Sequence, residues 1–188
     1  MRIAAPSPSA SAAATGKREA ARSMFEPPEF DPNSKSRLTA IRLGEGSIRR
    51  GDLNIERERE VAIFDILEAN SFVLEGRDDG PYTLDLSIVE DRLVFAVGHQ
   101  GGGDTFTYVL SLTPLRRIMK DYFMVCESYY QAIRTAPPSR IQSIDMGRRA
   151  LHDEGSRALS DRLEGKIALD RDTSRRLFTL ICALHWKG

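Results

Sequence analysis

The main change in the spacing of the apolar residues of this chain falls near Thr113. Before that point they recur at every second position, apart from one helical stretch around Val61–Leu67, and after it they recur at every third or fourth position. The first spacing is typical of strands that bury one face, and the second is typical of helices. Because the two patterns occupy separate blocks, the sequence predicts an α+β fold. We expect an antiparallel sheet of three or four strands, with about four helices packed on one of its faces.

Four segments carry the strand pattern. In the first, Leu38–Leu43, alternation places Thr39, Ile41 and Leu43 on one face. The other three segments follow one another closely, with a tight turn predicted at Asp91-Arg92, so they predict an antiparallel meander. Their apolar members are Tyr82, Leu84, Leu86 and Ile88, then Leu93, Phe95 and Val97, and then Phe106, Tyr108, Leu110 and Leu112.

The first two predicted helices have recognisable ends. The first helix begins after Asp52 or Asn54, and Thr113 is predicted to cap the second helix, with Pro114 at its first position. Pro137 ends that second helix, because proline cannot continue the hydrogen-bond ladder. The predicted apolar stripe of the first helix consists of Val61, Ile63, Phe64, Ile66 and Leu67.

Two further helices are predicted in the last third of the chain. The third contains Gly147 and Gly155, which either bend the helix or allow a neighbour to pack closely. The fourth begins at a capping aspartate, either Asp170 or Asp172. From position 177 to 186 the fourth helix is apolar nearly all round, which predicts a central place in the core.

The N-terminal residues differ in composition from the rest. Residues 1–35 are rich in small residues and proline, so we expect a disordered tail followed by a single α+β domain over residues 36–188. The start of the chain lacks the hydrophobic segment of a signal peptide, and no apolar run reaches the length of about 18 residues that a membrane span needs. We therefore expect a soluble, cytoplasmic protein.

Charge and residue usage argue against several functions. The 27 basic and 27 acidic residues give a formal net charge of zero, so nucleic-acid binding is not expected. The chain has three histidines and two cysteines without metal-ligand spacing, so no metal or other cofactor is expected. The loop Gly98–Asp104 lacks the ending of a phosphate-binding loop and is predicted to be a flexible hairpin connection.

One candidate surface lies at the start of the second helix. Arg116, Arg117 and Lys120 oppose the helix dipole there, and such an unfavourable placement can mark a partner site. Tyr130 lies further along the same helix, and tyrosine is enriched at interfaces. These residues suggest a non-enzymatic module that docks a protein partner through its helical half. The alternative is an ordinary solvated face with local ion pairs.

The other candidate site consists of Asp145, Arg149 and His152, which share one helical face at spacings of four and three. A histidine beside a carboxylate can transfer protons, and an arginine can hold an anion. These residues would suit an enzyme or sensor for a small anionic ligand. The alternative is a surface ion-pair ladder, so whether the protein is an enzyme stays open.

Several runs of the sequence, taken together, resemble uncharacterised protein family 0262, a bacterial family. The similarity extends from about Ser36 to the end of the chain. It implies a small cytoplasmic protein, and it supplies neither an activity nor catalytic residues. The runs that carry it are Val61–Glu68, Leu110–Arg117, Lys120–Phe123, Cys126–Tyr130, Asp145–Arg149, His152–Ser156 and Arg176–Gly188.

Overall fold

The structure is a computed structural model that describes residues 34–44 and 53–185. The predicted tail, residues 1–35, lies outside the described residues except for its last two positions, and Asp52 and Trp186 also lie outside them. Along the described chain the elements are β1 (Leu38–Leu43), α1 (Leu53–Glu68), β2 (Phe72–Leu74), β3 (Tyr82–Val89), β4 (Arg92–His99), β5 (Phe106–Ser111), α2 (Thr113–Thr135), α3 (Pro138–Leu163), β6 (Ile167–Leu169) and α4 (Arg171–His185).

The main sheet has four strands in the order β1-β3-β4-β5. Strands β3, β4 and β5 form the predicted antiparallel meander. The turn between β3 and β4 falls at Glu90 and Asp91, whose φ angles are 45° and 64°. Two consecutive positive φ values are typical of the two-residue turns that match the twist of a hairpin. The turn is therefore one residue earlier than predicted.

The prediction of a wholly antiparallel sheet is wrong, because β1 runs parallel to β3. Parallel neighbours need a crossover connection, and α1 lies in the segment between these two strands. The sheet is consequently mixed. A second, two-stranded antiparallel sheet of β2 and β6 was not predicted.

Burial alternates along the strands as the sequence predicts, so one face of the sheet enters the core. Strand β1 deviates from this regular alternation. Its pairing with β3 shifts register between Leu38 and Ala40, and both Leu38 and Ile41 are buried. The predicted single face of Thr39, Ile41 and Leu43 is therefore incorrect, because an irregular ladder breaks the period of two.

Helix α4 is the centre of the core, as predicted from its apolar circumference. Asp170 caps it, since the backbone amide of Thr173 donates to Asp170 Oδ1 at 2.6 Å. Gly155 of α3 packs directly against Phe178 of α4, where a Cβ would meet the ring at 2.2 Å. The buried side chains of α4 include Leu177, Phe178, Leu180, Ile181, Cys182 and Leu184.

The four helices are confirmed within the described residues, and two details differ from the predictions. In α1, Val61 and Phe64 are exposed, because Ala62 and Ile66 form the buried face instead. The N-cap of α2 is Leu112, so Thr113 is the first helical residue rather than the cap.

Helices α2 and α3 form an antiparallel hairpin whose outer half contributes little to the core. The buried residues of α2 before position 123 are Leu115, Met119 and Tyr122, and only Ala132 is buried after it. All four buried residues of α3 lie in its second half, from Gly155 onward. Apart from Ala132, the buried residues of both helices thus lie away from the turn that joins them.

Candidate functional site

Three of the predicted docking residues lie in the first two turns of α2, and all three are exposed. Arg116 forms an ion pair with Asp91 in the β3–β4 turn. Arg117 has a weak pair with Asp121, with 3.9 Å between Arg117 Nε and Asp121 Oδ2. Among the described residues, Lys120 has no carboxylate oxygen within 4.0 Å.

Tyr130 is 53 % exposed, and its ring contacts Tyr129 edge-on, with 6.1 Å between the ring centroids. It lies 14 residues after Arg116, which is about 21 Å along a helix that rises about 1.5 Å per residue. Arg116, Lys120 and Tyr130 therefore form a line along the helix, and Arg117, which follows Arg116 directly, lies to one side of that line.

Basic and aromatic side chains follow that line at alternating spacings of four and three residues, which keep them on one side of a helix. Phe123 is half-buried, and the remaining members are exposed. The line contains three basic residues and one acidic residue, so its net charge is positive. We call this set the α2 stripe, and it consists of Arg116, Lys120, Phe123, Glu127, Tyr130 and Arg134.

Asp145 and Arg149 of the other candidate site are in direct contact. Asp145 Oδ2 accepts a hydrogen bond from Arg149 Nε at 2.8 Å, and Asp145 Oδ1 accepts one from Arg148 Nη2 at 2.7 Å. The hydrogen bond from Arg148, together with the positive charges of both arginines, lowers the pKa of Asp145. The carboxylate is therefore already held by two cations of its own helix.

His152 turns towards α4. Its Nε2 is 2.6 Å from Thr179 Oγ1, and the Thr179 hydroxyl donates onward to the Arg175 carbonyl at 3.2 Å. His152 Nε2 also lies 3.0 Å from the Arg175 carbonyl, which can only accept, so Nε2 carries the proton and donates. Arg175 Nη2 then donates to Nδ1 at 3.4 Å. Both ring nitrogens of a neutral His152 are thus occupied by α4.

The rest of the His152 environment also keeps the ring neutral. The ring stacks on Tyr122, with 5.6 Å between the centroids and 22° between the planes, and it contacts Phe178. Burial lowers the pKa of His152, and the positive charge of Arg175 lowers it further. The histidine connects three helices through one side chain.

The residues after His152 continue the same connection between α3 and α4. Asp153 Oδ2 accepts a hydrogen bond from Arg171 Nη2 at 3.2 Å, and Asp153 Oδ1 lies 3.1 Å from Arg175 Nε without the alignment of a hydrogen bond. Ser174 donates to the Ser156 carbonyl at 2.7 Å. The partners of this motif come from 18 to 27 residues later in the chain, which is why the sequence did not indicate them.

One surface cavity lies beside this motif, and another lies at the end of the sheet. A cleft of about 310 Å³ is lined by Asp153, Ser156, Arg157 and Arg171, and His152 does not line it. A larger, shallow cavity of about 540 Å³ lies beside the Gly98–Asp104 loop, and it is lined by Asp79, Gly80, Pro81, His99, Gln100, Gly101 and Gly102.

A polar cluster at the larger cavity was missed in the sequence. Arg77 Nε donates to Asp79 Oδ2 at 2.7 Å, and the Tyr82 hydroxyl donates to Asp79 Oδ1 at 3.2 Å. The hydrogen bond from Arg77 is the main cause that lowers the pKa of Asp79. His99 donates through Nδ1 to the Asp79 carbonyl at 3.0 Å. The cluster joins the segment before β3 to the end of β4. In the sequence, the only sign of it is the short spacing between Arg77 and Asp79.

Cysteine and metal chemistry gain no support from the described residues. Burial raises the pKa of the Cys182 thiol well above its usual value, which keeps the thiol protonated. Within residues 34–44 and 53–185, no three His, Cys, Asp or Glu side chains form a group that could hold a metal ion. No described helix is long and apolar enough to cross a membrane.

The fold defines an α+β protein with a mixed four-stranded sheet and a long helical hairpin. The chain belongs to the uncharacterised protein family UPF0262, which matches residues 35–187, and this confirms the resemblance seen in the sequence. Similar UPF0262 proteins occur in bacteria. One from Rhodopseudomonas palustris (strain TIE-1) is 55 % identical over 161 residues, which are 86 % of this chain and 98 % of the relative.

Two further relatives are of the same kind. A UPF0262 protein of Brucella anthropi is 58 % identical over 84 % of this chain and 97 % of its own length. One of Methylobacterium radiotolerans is 59 % identical over 81 % of this chain and 95 % of its own length. No solved structure matches the chain. The names of these relatives state no activity, so a function must be argued from the residues.

Proposed function

We propose that this protein is a non-enzymatic cytoplasmic module that docks an acidic protein segment along the α2 stripe. The observation that carries the proposal is the alignment of Arg116, Lys120 and Arg134 with Phe123 and Tyr130 on one side of one helix. Aromatic anchors flanked by positive charge suit a partner that presents apolar side chains beside carboxylates.

The position of the outer end of the stripe, Glu127 to Arg134, supports this proposal. The outer half of the α2–α3 hairpin contributes little to the core, yet it carries large exposed apolar side chains. These are Tyr130, which belongs to the stripe, and Met124, Ile133 and Met146, which lie outside it. Tyrosine and methionine are enriched at protein interfaces, and an exposed apolar side chain gains burial when a partner covers it.

The second proposal, a small anionic ligand bound by Asp145, Arg149 and His152, has weaker support. The carboxylate of Asp145 is held by arginines, and both nitrogens of His152 are occupied by α4. Thermal denaturation with phosphate, sulfate and citrate tests it. A stabilisation that Arg149→Ala removes would favour this site over the α2 stripe.

The docking proposal is tested by affinity capture with the full-length protein from the source cytosol, followed by quantitative mass spectrometry. We expect a stoichiometric partner with the wild type and at least a tenfold loss with Lys120→Glu combined with Arg134→Glu. These two positions are preferred to Arg116, because Arg116 pairs with Asp91 and its reversal would also strain the fold.

The matched control is Arg57→Glu combined with Arg92→Glu, which makes the same change in net charge at two exposed arginines outside α2. It should capture the partner as the wild type does. Capture by the wild type should also weaken as salt is added, because exposed charges are screened. Equal recovery by the stripe variant and the control would overturn the proposal.

A further inference from the structure

Strand β5 is an edge of the four-stranded sheet. It pairs with β4 on one side. Within the described ranges, no other backbone hydrogen bond joins residues 106–111 to the rest of the chain. Its outer side therefore presents a row of backbone donors and acceptors, which is the template on which another strand can pair.

This edge lacks the features that usually prevent such pairing. The segment 105–113 contains no charged residue and no proline, and the β4–β5 ladder runs without a register shift. Natural edge strands are commonly protected by charges, proline or bulges. The opposite edge, β1, has two of these protections, because its ladder shifts between Leu38 and Ala40 and it carries Arg42. The contrast singles out β5 as the edge open to pairing.

We propose that β5 pairs antiparallel with β5 of a second copy of this chain, about a two-fold axis at Tyr108. Residues directly opposite each other in an antiparallel pair lie on the same face, so the axis must pass through a residue position. With the axis at Tyr108, each Tyr108 meets its own copy. Phe106 then faces Leu110 of the second copy, and Thr107 faces Val109. The two sheets become one sheet of eight strands.

The burial of β5 side chains favours this register. Phe106 and Tyr108 are half-buried on the core side of the sheet, whereas Leu110 on the same side is buried. Val109 is 50 % exposed on the other side. The pairing would cover the exposed Val109 and the exposed parts of Phe106 and Tyr108. Aromatic and β-branched residues are also the pairs that stabilise neighbouring strands most.

The absence of charge favours a second copy over the acidic partner of the α2 stripe. A two-fold axis brings identical residues together, so a charge near the axis would meet a like charge. The segment 105–113 avoids this, and it offers an acidic strand no basic residue. One added strand pair buries less than the roughly 1,200 Å² of a stable interface, so the dimer should be reversible and depend on concentration.

Sedimentation velocity of the full-length protein over a wide concentration range tests the proposal. The mass should rise with concentration towards twice the 21.0 kDa of one chain. Val109→Lys should keep the protein monomeric, because a lysine on an edge strand opposes pairing. The matched control is Val89→Lys, since Val89 is 54 % exposed at the end of the inner strand β3. The control should dimerise as the wild type does.

Cysteine cross-linking tests the register independently. Tyr108→Cys should give a disulfide-linked dimer on mild oxidation, because directly opposite residues bring Cα atoms within about 5.5 Å. A mixture of Thr107→Cys and Val109→Cys should cross-link more than either variant alone. The wild type, which contains Cys126 and Cys182, controls for the native thiols. A wild type that is monomeric at every concentration, or a dimer that survives Val109→Lys and does not cross-link at position 108, would overturn the proposal.

Discussion

Gly155 and Gly147 lie in the same helix but differ in what surrounds them. A Cβ at Gly155 would meet three ring atoms of the buried Phe178 at 2.2 to 2.5 Å, whereas a Cβ at Gly147 would meet nothing within 4 Å. We expect Gly155→Ala to lower the free energy of unfolding by about 1–3 kcal/mol, because overpacking outweighs helix propensity. Gly147→Ala should raise it by up to about 1 kcal/mol. Chemical denaturation measures both, and equal effects would contradict close packing at Gly155.

His152 should make the stability of the fold depend on pH. Burial, together with the charge of Arg175, lowers the pKa of His152 in the folded protein, so the unfolded chain binds a proton at higher pH than the folded chain does. The free energy of unfolding should therefore fall as the pH drops through the unfolded pKa of about 6.5 towards the lower folded value.

Urea denaturation at several pH values between about 7.5 and 5.5 measures this fall in the free energy of unfolding. This pH range brackets the ordinary pKa of histidine. His152→Gln should be less stable than the wild type at the upper end, and its stability should change less over the range. Carboxyl groups with a lowered pKa, such as Asp145, titrate below this range and do not interfere. An unchanged slope in the variant would show that His152 is not held neutral.

Among the elements, β1 and α1 are joined by one buried side chain, Asn70. Its Oδ1 accepts from the Leu38 amide at 2.6 Å, and its Nδ2 donates to the carbonyls of Leu38 at 3.1 Å and Ile66 at 2.8 Å. Asn70→Leu keeps the volume but leaves these backbone groups without partners. We expect a loss of about 3 kcal/mol in the free energy of unfolding. Faster hydrogen exchange at the Leu38 amide should accompany it, and exposed Ser143→Ala should change stability by less than about 0.5 kcal/mol.

The same elements show what the sequence could predict. The meander β3–β4–β5 has a strict period of two, and the four helices have helical spacing of their apolar residues, so local pattern was sufficient to predict that these elements exist. It misplaced the cap of α2 and the buried face of α1. Whether β1 runs parallel or antiparallel to β3 depends on the path of the chain after α1, and no local sequence pattern indicates that path. Strands β2 and β6 have three residues each, too few to show a period, and they pair across nearly a hundred residues of sequence.

The candidate site divides in a similar way. Spacing on one helix correctly indicated that Asp145 contacts Arg149. The orientation of His152 depends on Thr179 and Arg175, which come from another helix. The paired carboxylate of Asp79 depends on a loop conformation that brings Arg77 and Tyr82 to it. Within the candidate site, contacts inside a turn of helix could be predicted, and contacts with another helix or loop could not.

At the scale of the whole molecule, the two proposed surfaces lie on consecutive elements but differ in chemistry. The α2 stripe is positively charged, whereas the β5 edge carries no charge. Because Lys120 and Arg134 contribute nothing to strand pairing, their reversal should leave the monomer–dimer equilibrium unchanged. Distant, independent sites usually add within about 0.5 kcal/mol.

The converse substitution should behave in the same way. Val109→Lys should abolish dimerisation while the partner is still captured, and a protein with all three substitutions should lose both properties. Sedimentation and affinity capture on the same preparations measure the two outcomes. A stripe variant that becomes monomeric, or an edge variant that no longer captures the partner, would show that the partner binds across a dimer and not along a single α2 helix. The stripe would then have to be redefined to include residues of the second copy.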